Sequence, residues 1–244
     1  MASNSTNNLA IEINRLSKAF GRVQVLREFG LKVPWGERLI ILGPNGSGKS
    51  TLIKVLATLS RPDRGFVRVA GWDLVEQGQQ IRRIVGVVTH SPILYEQLTG
   101  FENLRFFGRM FNLDKLDERI IVMSERMGVG NRLHQRVGTL SHGLRKRFTI
   151  VRALLHEPQV LLMDEPESGL DQEALAMLDM VIDDAGYPTR TILMTTHNIE
   201  RGLAIGDRIA ILVNGQIVYC AGIDTSVGVD AFKDAYYSHI GDVG

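Results

Sequence analysis

The sequence predicts an α/β fold, and three observations carry that prediction. A glycine-rich loop, Gly43-Pro44-Asn45-Gly46-Ser47-Gly48-Lys49-Ser50-Thr51, separates the β-type run Leu39-Ile40-Ile41-Leu42 from Leu52-Ile53-Lys54-Val55-Leu56-Ala57, whose apolar spacing suits a helix packed on a sheet. Short apolar runs such as Val160-Leu161-Leu162-Met163 and Ile192-Leu193-Met194 recur down the chain, as expected of parallel strands covered on both faces. Helix-period segments lie between them, so that strands and helices alternate. A chain of 244 residues, 44% hydrophobic and 23% charged, holds enough apolar surface for a real core in one large domain.

Composition narrows the function classes. A formal net charge of +1 leans away from a nucleic-acid binder that relies on a strong basic field, so no nucleic-acid partner is expected. The single cysteine, Cys220, excludes an internal disulfide and a cysteine-based zinc cluster, and is read as a buried or half-buried strand residue. Residues 1–10 are polar, with no basic or apolar segment of a secretory signal, and read as a flexible tail before a single domain over 11–244. No run approaches the roughly 18 apolar residues that span a bilayer, so any membrane role is expected to come through a partner.

In chain order, residues 11–33 read as short strands broken at Gly21 and Gly30, leading into the turn Pro34-Trp35-Gly36. Phe20 in this stretch is either ordinary sheet packing or a platform for a nucleotide base. After the loop helix, Arg61-Pro62-Asp63-Arg64-Gly65 is a turn, Phe66 to Gly71 a short strand with a second turn, and Ile84-Val85-Gly86-Val87-Val88 a buried strand. Strand character then disappears. Phe101, Leu104, Phe107 and Phe111 recur at helical spacing, so residues 89–155 form a helical insertion. Ser141 and Gly143 open a helix whose Arg145-Lys146-Arg147 run is read as a solvated face. A strand ending in Asp164-Glu165, a helix from about Gln172, the strand Thr191-Ile192-Leu193-Met194-Thr195-Thr196 and a hairpin turned by Asn214-Gly215 complete the chain.

The motifs point to nucleoside triphosphate chemistry. Glycines at 43, 46 and 48 let main-chain amides wrap an anion at a helix N-terminus, Lys49 reaches the outer phosphates, and the Ser50 hydroxyl ligates Mg²⁺. Asp164 is placed to hold the metal, directly or through water, and Glu165 to polarise the attacking water. His197, ending another apolar strand, contacts the terminal phosphate or the water, or is structural. Ser141 is a helix cap or, with Gly143, a second anion site; a chain with two such ends and one nucleotide would offer the second to a neighbouring chain.

These residues resemble the ATP-binding subunits of ABC transporters, over about residues 11–222 and in the family's motif order. Gly43 to Thr51 matches the Walker A loop, Leu140-Ser141-His142-Gly143 is similar to the signature, and Val160 to Glu165 resembles Walker B with its glutamate. Ser168-Gly169-Leu170-Asp171 resembles the D-loop, His197 the switch histidine and Phe20 the base-stacking aromatic. The resemblance implies a P-loop NTPase core with an N-terminal antiparallel β-subdomain and an inserted α-helical subdomain. It also implies Mg²⁺-dependent hydrolysis of ATP held between the Walker A loop of one chain and the signature, with Ser141, Gly143 and Asp171, of another. The expected partners are a second ATPase subunit, identical or not, and a separate transmembrane permease that would hold the protein on the cytoplasmic face of the membrane.

Two positions depart from the pattern: His90 replaces the glutamine that senses metal and water, and His142 replaces a glycine. His90, followed by Leu98-Thr99 and Glu102-Asn103-Leu104, is similar to subunits of the haem-exporter or cytochrome c maturation type, although multidrug exporter subunits share most of it. The other reading is a soluble ABC ATPase of iron-sulfur cluster assembly. Phe106 and Met110 fall off the face formed by Phe101, Leu104, Phe107 and Phe111, which with Tyr95 is either core packing within the insertion or, as the resemblance implies, a docking groove for a partner helix.

Overall fold

The computed structural model describes residues 8–183, 190–223 and 229–241. The first half runs β1 (Leu9–Phe20), β2 (Val23–Pro34), β3 (Arg38–Leu42), α1 (Lys49–Leu56), β4 (Arg64–Val69), β5 (Trp72–Asp73), α2 (Gly78–Ile84), β6 (Val85–Val88), α3 (Gly100–Met110) and α4 (Leu116–Arg126). The second half runs α5 (His142–Leu154), β7 (Val160–Asp164), α6 (Gln172–Ile182), β8 (Thr191–Thr195), α7 (Ile199–Ile205), β9 (Arg208–Val213), β10 (Gln216–Gly222) and α8 (Val229–Gly241).

Two sheets organise these elements. The larger has the order β10-β9-β3-β8-β7-β6, parallel from β9 to β6 with β10 antiparallel at its edge. Its parallel strands are buried on both faces, and the pleat sends alternate residues to two cores. Leu39, Ile41, Leu162, Leu193 and Leu212 join α1 and the N-terminal strands, whereas Ile40, Leu42, Leu161, Met163 and Met194 pack against the helices on the other side. The smaller sheet, β2-β1-β4-β5, is antiparallel and is the expected N-terminal β-subdomain.

Several details differ from expectation. The expected tail does not reach residue 10, because β1 begins at Leu9 and Ala10 is fully buried; residues 1–7 lie outside the described residues. Residues 11–33 form two long strands instead of several short ones: Gly21 turns the chain, but Gly30 continues β2, held by the pairs Phe29 with Leu16 and Leu31 with Ile13. Ile84 ends a helix instead of opening a strand. Cys220 is exposed, since β10 is an edge strand whose alternate residues face outward. The Asn214-Gly215 turn forms as expected, with both residues at positive φ.

The helical insertion is fastened by polar groups as well as by its core. Thr99 caps α3 reciprocally: its hydroxyl oxygen accepts from the Glu102 amide at 3.1 Å, and the Glu102 carboxylate accepts from the Thr99 amide at 2.8 Å. Asn103 is fully buried and holds the preceding loop, accepting from the Tyr95 amide at 2.8 Å and donating to the carbonyls of Tyr95 at 3.0 Å and Thr99 at 2.9 Å. Asn103→Leu should therefore strand buried main-chain groups and destabilise the protein by about 1–3 kcal/mol. Urea unfolding checks this, and an unchanged midpoint would show that the loop does not need the side chain.

Candidate active site

The glycine loop follows β3 and is wedged between β9 and β2. A Cβ on Gly43 would lie 2.2 Å from the Leu212 carbonyl oxygen, and one on Gly48 would lie 2.9 Å from Leu26 and 3.1 Å from the Val25 carbonyl oxygen. Gly48, at φ 111°, caps α1 and has no side-chain oxygen to take the first amides, which leaves that helix end open to an anion. Lys49 is buried, and its ammonium donates to the carbonyls of Gly43 at 2.7 Å and Pro44 at 3.0 Å. Burial pushes the Lys49 pKa down, while the charges of Glu165 and Asp164 oppose the shift. The lysine thus sits in the field of the two predicted carboxylates. Pro44 is half-buried, whereas Asn45, Gly46 and Ser50 are exposed and Thr51 is half-buried along the open side of the loop.

Asp164 and Glu165, at the end of β7, sit in different surroundings. Asp164 is 3% exposed and accepts from the Thr195 hydroxyl at 2.8 Å. Glu165 has φ 46°, a left-handed conformation that costs a non-glycine residue about 1–2 kcal/mol. Its amide donates to the Thr195 carbonyl at 3.0 Å, and its carbonyl accepts from the Lys146 ammonium at 3.1 Å. The Glu165 carboxylate lies 3.8 Å from Nδ1 of His197, so the structure brings these two candidates together across β7 and β8. The His197 ring is largely exposed.

Ser141 caps α5, its hydroxyl oxygen accepting from the Leu144 amide at 3.3 Å. Ser141 and His142 are exposed. A Cβ on Gly143 would lie 2.8 Å from the Gly169 carbonyl oxygen, so the signature-like segment touches the D-loop-like one directly. Asp171 caps α6 through the Ala174 amide at 2.9 Å and pairs with Arg147 at 2.7 Å. That capping bond, chiefly, holds the Asp171 pKa low.

The Arg145-Lys146-Arg147 run is not a solvated face. Arg145 donates to the carbonyls of Leu140 and Gly138, Lys146 is 1% exposed, and Arg147 turns in to Asp171. Arg152, one turn further on, donates to the Val87 carbonyl at 2.8 Å and lies over the Phe107 ring. Main-chain carbonyls at strand ends and loops need donors, and long cationic side chains reach them from the helix. The periodicity that places Lys146 four residues before the buried Ile150 was the signal for its burial. Thr195 was also missed, although a hydroxyl ending an apolar strand beside a carboxylate strand marks it.

His90 is exposed just past β6, after Thr89, whose hydroxyl donates to the Ser91 carbonyl at 2.6 Å. Phe20 is 53% exposed and therefore not core packing. It ends β1 opposite Val23, two residues before the Val25 that touches Gly48, so the ring stands on the hairpin that flanks the loop.

A magnesium ion fits the donor set. Hard oxygen donors are present in the Asp164 carboxylate and the Ser50 hydroxyl, and no group of three His, Cys, Asp or Glu able to hold a metal occurs among the described residues. Such a sparse set suits an ion that keeps water and substrate phosphates as its other ligands.

Comparison with known proteins places this geometry. The model of the ABC transporter family matches residues 26–168, which include the loop, Ser141, Asp164 and Glu165. The chain is 32% identical over 218 residues to the ABC transporter ATP-binding protein NatA of Bacillus subtilis, covering 88% of this chain and 89% of that one. It is 32% identical over 229 residues to the Nod factor export ATP-binding protein I of Cupriavidus pinatubonensis, covering 91% of this chain and 70% of that one. A solved ATP-binding subunit of an ABC transporter superposes with a TM-score of 0.85 at 27% identity, over 93% of this chain and 99% of that one.

Thr195 provides a test of the geometry. Thr195→Val keeps the volume but leaves the inner oxygen of Asp164 without its donor, so turnover of Mg²⁺-ATP should fall about tenfold, equivalent to roughly 1.4 kcal/mol. A folded variant with the wild-type rate would show that Asp164 holds its position without the hydroxyl.

Proposed function

This chain belongs to the ABC transporter family and is an ATP-binding, ATP-hydrolysing protein, and from that premise we propose that it dimerises on ATP and drives a separate transmembrane permease, as an exporter. The observation that carries the catalytic part is the convergence of Lys49, Asp164, Glu165 and His197 at the C-terminal ends of the parallel strands. Lys49 and the amides of the first turn of α1 bind and orient the phosphates. Glu165 polarises a water for attack on the terminal phosphorus, the bond to the bridging oxygen breaks, and ADP and phosphate leave. His197, beside Glu165, orients the water or the phosphate. Asp164 and Ser50 would hold Mg²⁺, which when bound neutralises charge on the phosphate oxygens.

The exposed Ser141 and His142, with Gly143 and Asp171 behind them, are proposed to close over the nucleotide of a second ATPase subunit. His90 is proposed to stand in for the glutamine between the site and the permease, offering one hydrogen bond near the metal. Phe20 is proposed to stack on the adenine base. The name of the Nod factor relative supports export; a haem-exporter or cytochrome c maturation type rests only on the residues from His90 onward. No described helix is long and apolar enough to cross a membrane, so placement on the cytoplasmic face would come through the permease.

The docking surface has a physical candidate. Phe106 and Met110 are exposed on α3 although they are large and apolar, and Tyr95 packs on Phe106 with ring centroids 5.4 Å apart. This exposed cluster continues the loop that follows His90. A short helix of the permease is proposed to seat there.

Two experiments test the proposal. Lys49→Ala should weaken ATP binding, whereas Glu165→Gln should keep binding and trap an ATP-bound dimer on gel filtration; wild-type hydrolysis by Glu165→Gln would remove the role assigned to that carboxylate. Met110→Glu or Tyr95→Asp should release the protein from membranes when it is expressed with its genomic neighbours, with folding and basal ATPase retained. A wild-type protein found wholly in the soluble fraction would instead favour an ATPase of the cluster-assembly kind.

A further inference from the structure

Lys146 is a buried cation that none of the steps above uses. Its ammonium donates to two main-chain carbonyls on different segments, Glu165 at 3.1 Å and Thr89 at 3.3 Å. Thr89 is the residue before His90, Glu165 carries the carboxylate proposed to polarise water, and Lys146 lies on the helix that Ser141 opens. Burial lowers the lysine's pKa, and the charges of Asp164, Glu167 and Glu165 oppose that shift, which is the balance expected of a cation retained inside the protein. Glu167 is itself engaged, accepting a hydrogen bond from Thr196 beside His197.

Left-handed backbone at a residue with a side chain persists when its surroundings hold it there. Glu165 is held on both sides: its amide donates to the Thr195 carbonyl, and its carbonyl accepts from the Lys146 ammonium at 3.1 Å and from the Ser168 amide at 3.2 Å. The Thr195 hold comes from the sheet and the Ser168 hold from the turn that follows Glu165. The Lys146 hold comes from α5, and the same ammonium grips the segment entering His90.

We propose that Lys146 is a positioning residue for hydrolysis, fixing the backbone of Glu165 and tying it to the Thr89-His90 segment and to the helix opened by Ser141. A displacement of that helix, or of the His90 segment, then reaches Glu165 through one side chain. The inference rests on the reading of Glu165 as the water-polarising group. It requires a donor at Nζ, and a positive charge by itself does not suffice.

The test compares Lys146→Met, which keeps length without a donor, with Lys146→Gln, which keeps N–H donors without the charge. Steady-state ATPase rates of the full chain with Mg²⁺-ATP are read alongside binding of a fluorescent ATP analogue, with Glu165→Gln as control. The expected result is a kcat for Lys146→Met lowered about tenfold or more, with KM and analogue affinity within about twofold of wild type, and recovery of most of that loss in Lys146→Gln. A wild-type kcat in Lys146→Met, equal losses in both variants, or a loss that falls on KM overturns it. Should Lys146→Met not fold, Lys146→Gln decides alone: turnover within about threefold of wild type upholds the inference and a collapse of kcat overturns it. If Glu165→Gln hydrolyses ATP normally, the reading of Glu165 fails first; if that control is inactive and Lys146→Met is normal, only the present inference fails.

Discussion

Thr195 stands in parallel register with Ile41 on one side and Asp164 on the other, and the site depends on that alignment. All three strands are parallel and their C-terminal ends lie together, so the residues that follow them, the glycine loop after β3, Glu165 after β7 and His197 after β8, emerge side by side. Side chains alternate with a period of two, and a slip of one residue between β7 and β8 would turn Asp164 to the opposite face. Two opposed apolar cores resist such a slip, because each strand places its residues alternately into one and the other. The Thr195 hydroxyl adds a polar lock at the end of that register.

The second organising element is α5, which buries Lys146, Arg147 and Arg152 among its apolar residues. Arg145, Lys146, Arg147 and Arg152 each reach a carbonyl or carboxylate on another segment. Removing such charges from water is costly, and they persist there because partners are in place. The consequence is mechanical as much as energetic. One helix is joined by polar contacts to the loop before α3, to the end of β6, to Glu165 and to the cap of α6. The helix opened by Ser141, the backbone of Glu165 and the segment entering His90 are therefore joined by hydrogen bonds through one helix.

Much of the site could be read along the chain because its chemistry is local. A phosphate loop is contiguous: strand, glycines, lysine and hydroxyl lie within a few residues, and glycine is dictated at 43 by a backbone contact too close for a Cβ and at 48 by a φ of 111°. Asp164 and Glu165 were singled out for the same reason, standing at the end of an apolar strand. The aromatic-rich α3 was identified with its off-face residues, and Phe106 and Met110 are indeed exposed. The errors arose where environment outweighs local pattern. Cys220 in an alternating strand was placed inward, but an edge strand has one covered face. Gly30 was read as a break, yet cross-strand pairing carried β2 through it.

By itself the sequence determined the fold class, the position of the loop, the two carboxylates and the order of the motifs, because periodicity and adjacency are properties of the chain. Only the tertiary structure decided which polar groups meet. That Lys146 binds the carbonyls of Thr89 and Glu165, 57 and 19 residues away, could not be read from a basic triplet, since its neighbours in sequence turn to other partners. The same holds for Thr195 against Asp164, 31 residues apart, and for His197 beside Glu165. Whether a charged side chain is solvated or buried depends on the donors and acceptors that distant segments bring to it, and that distribution exists only once the sheet has set its register and the helix has packed across its strand ends.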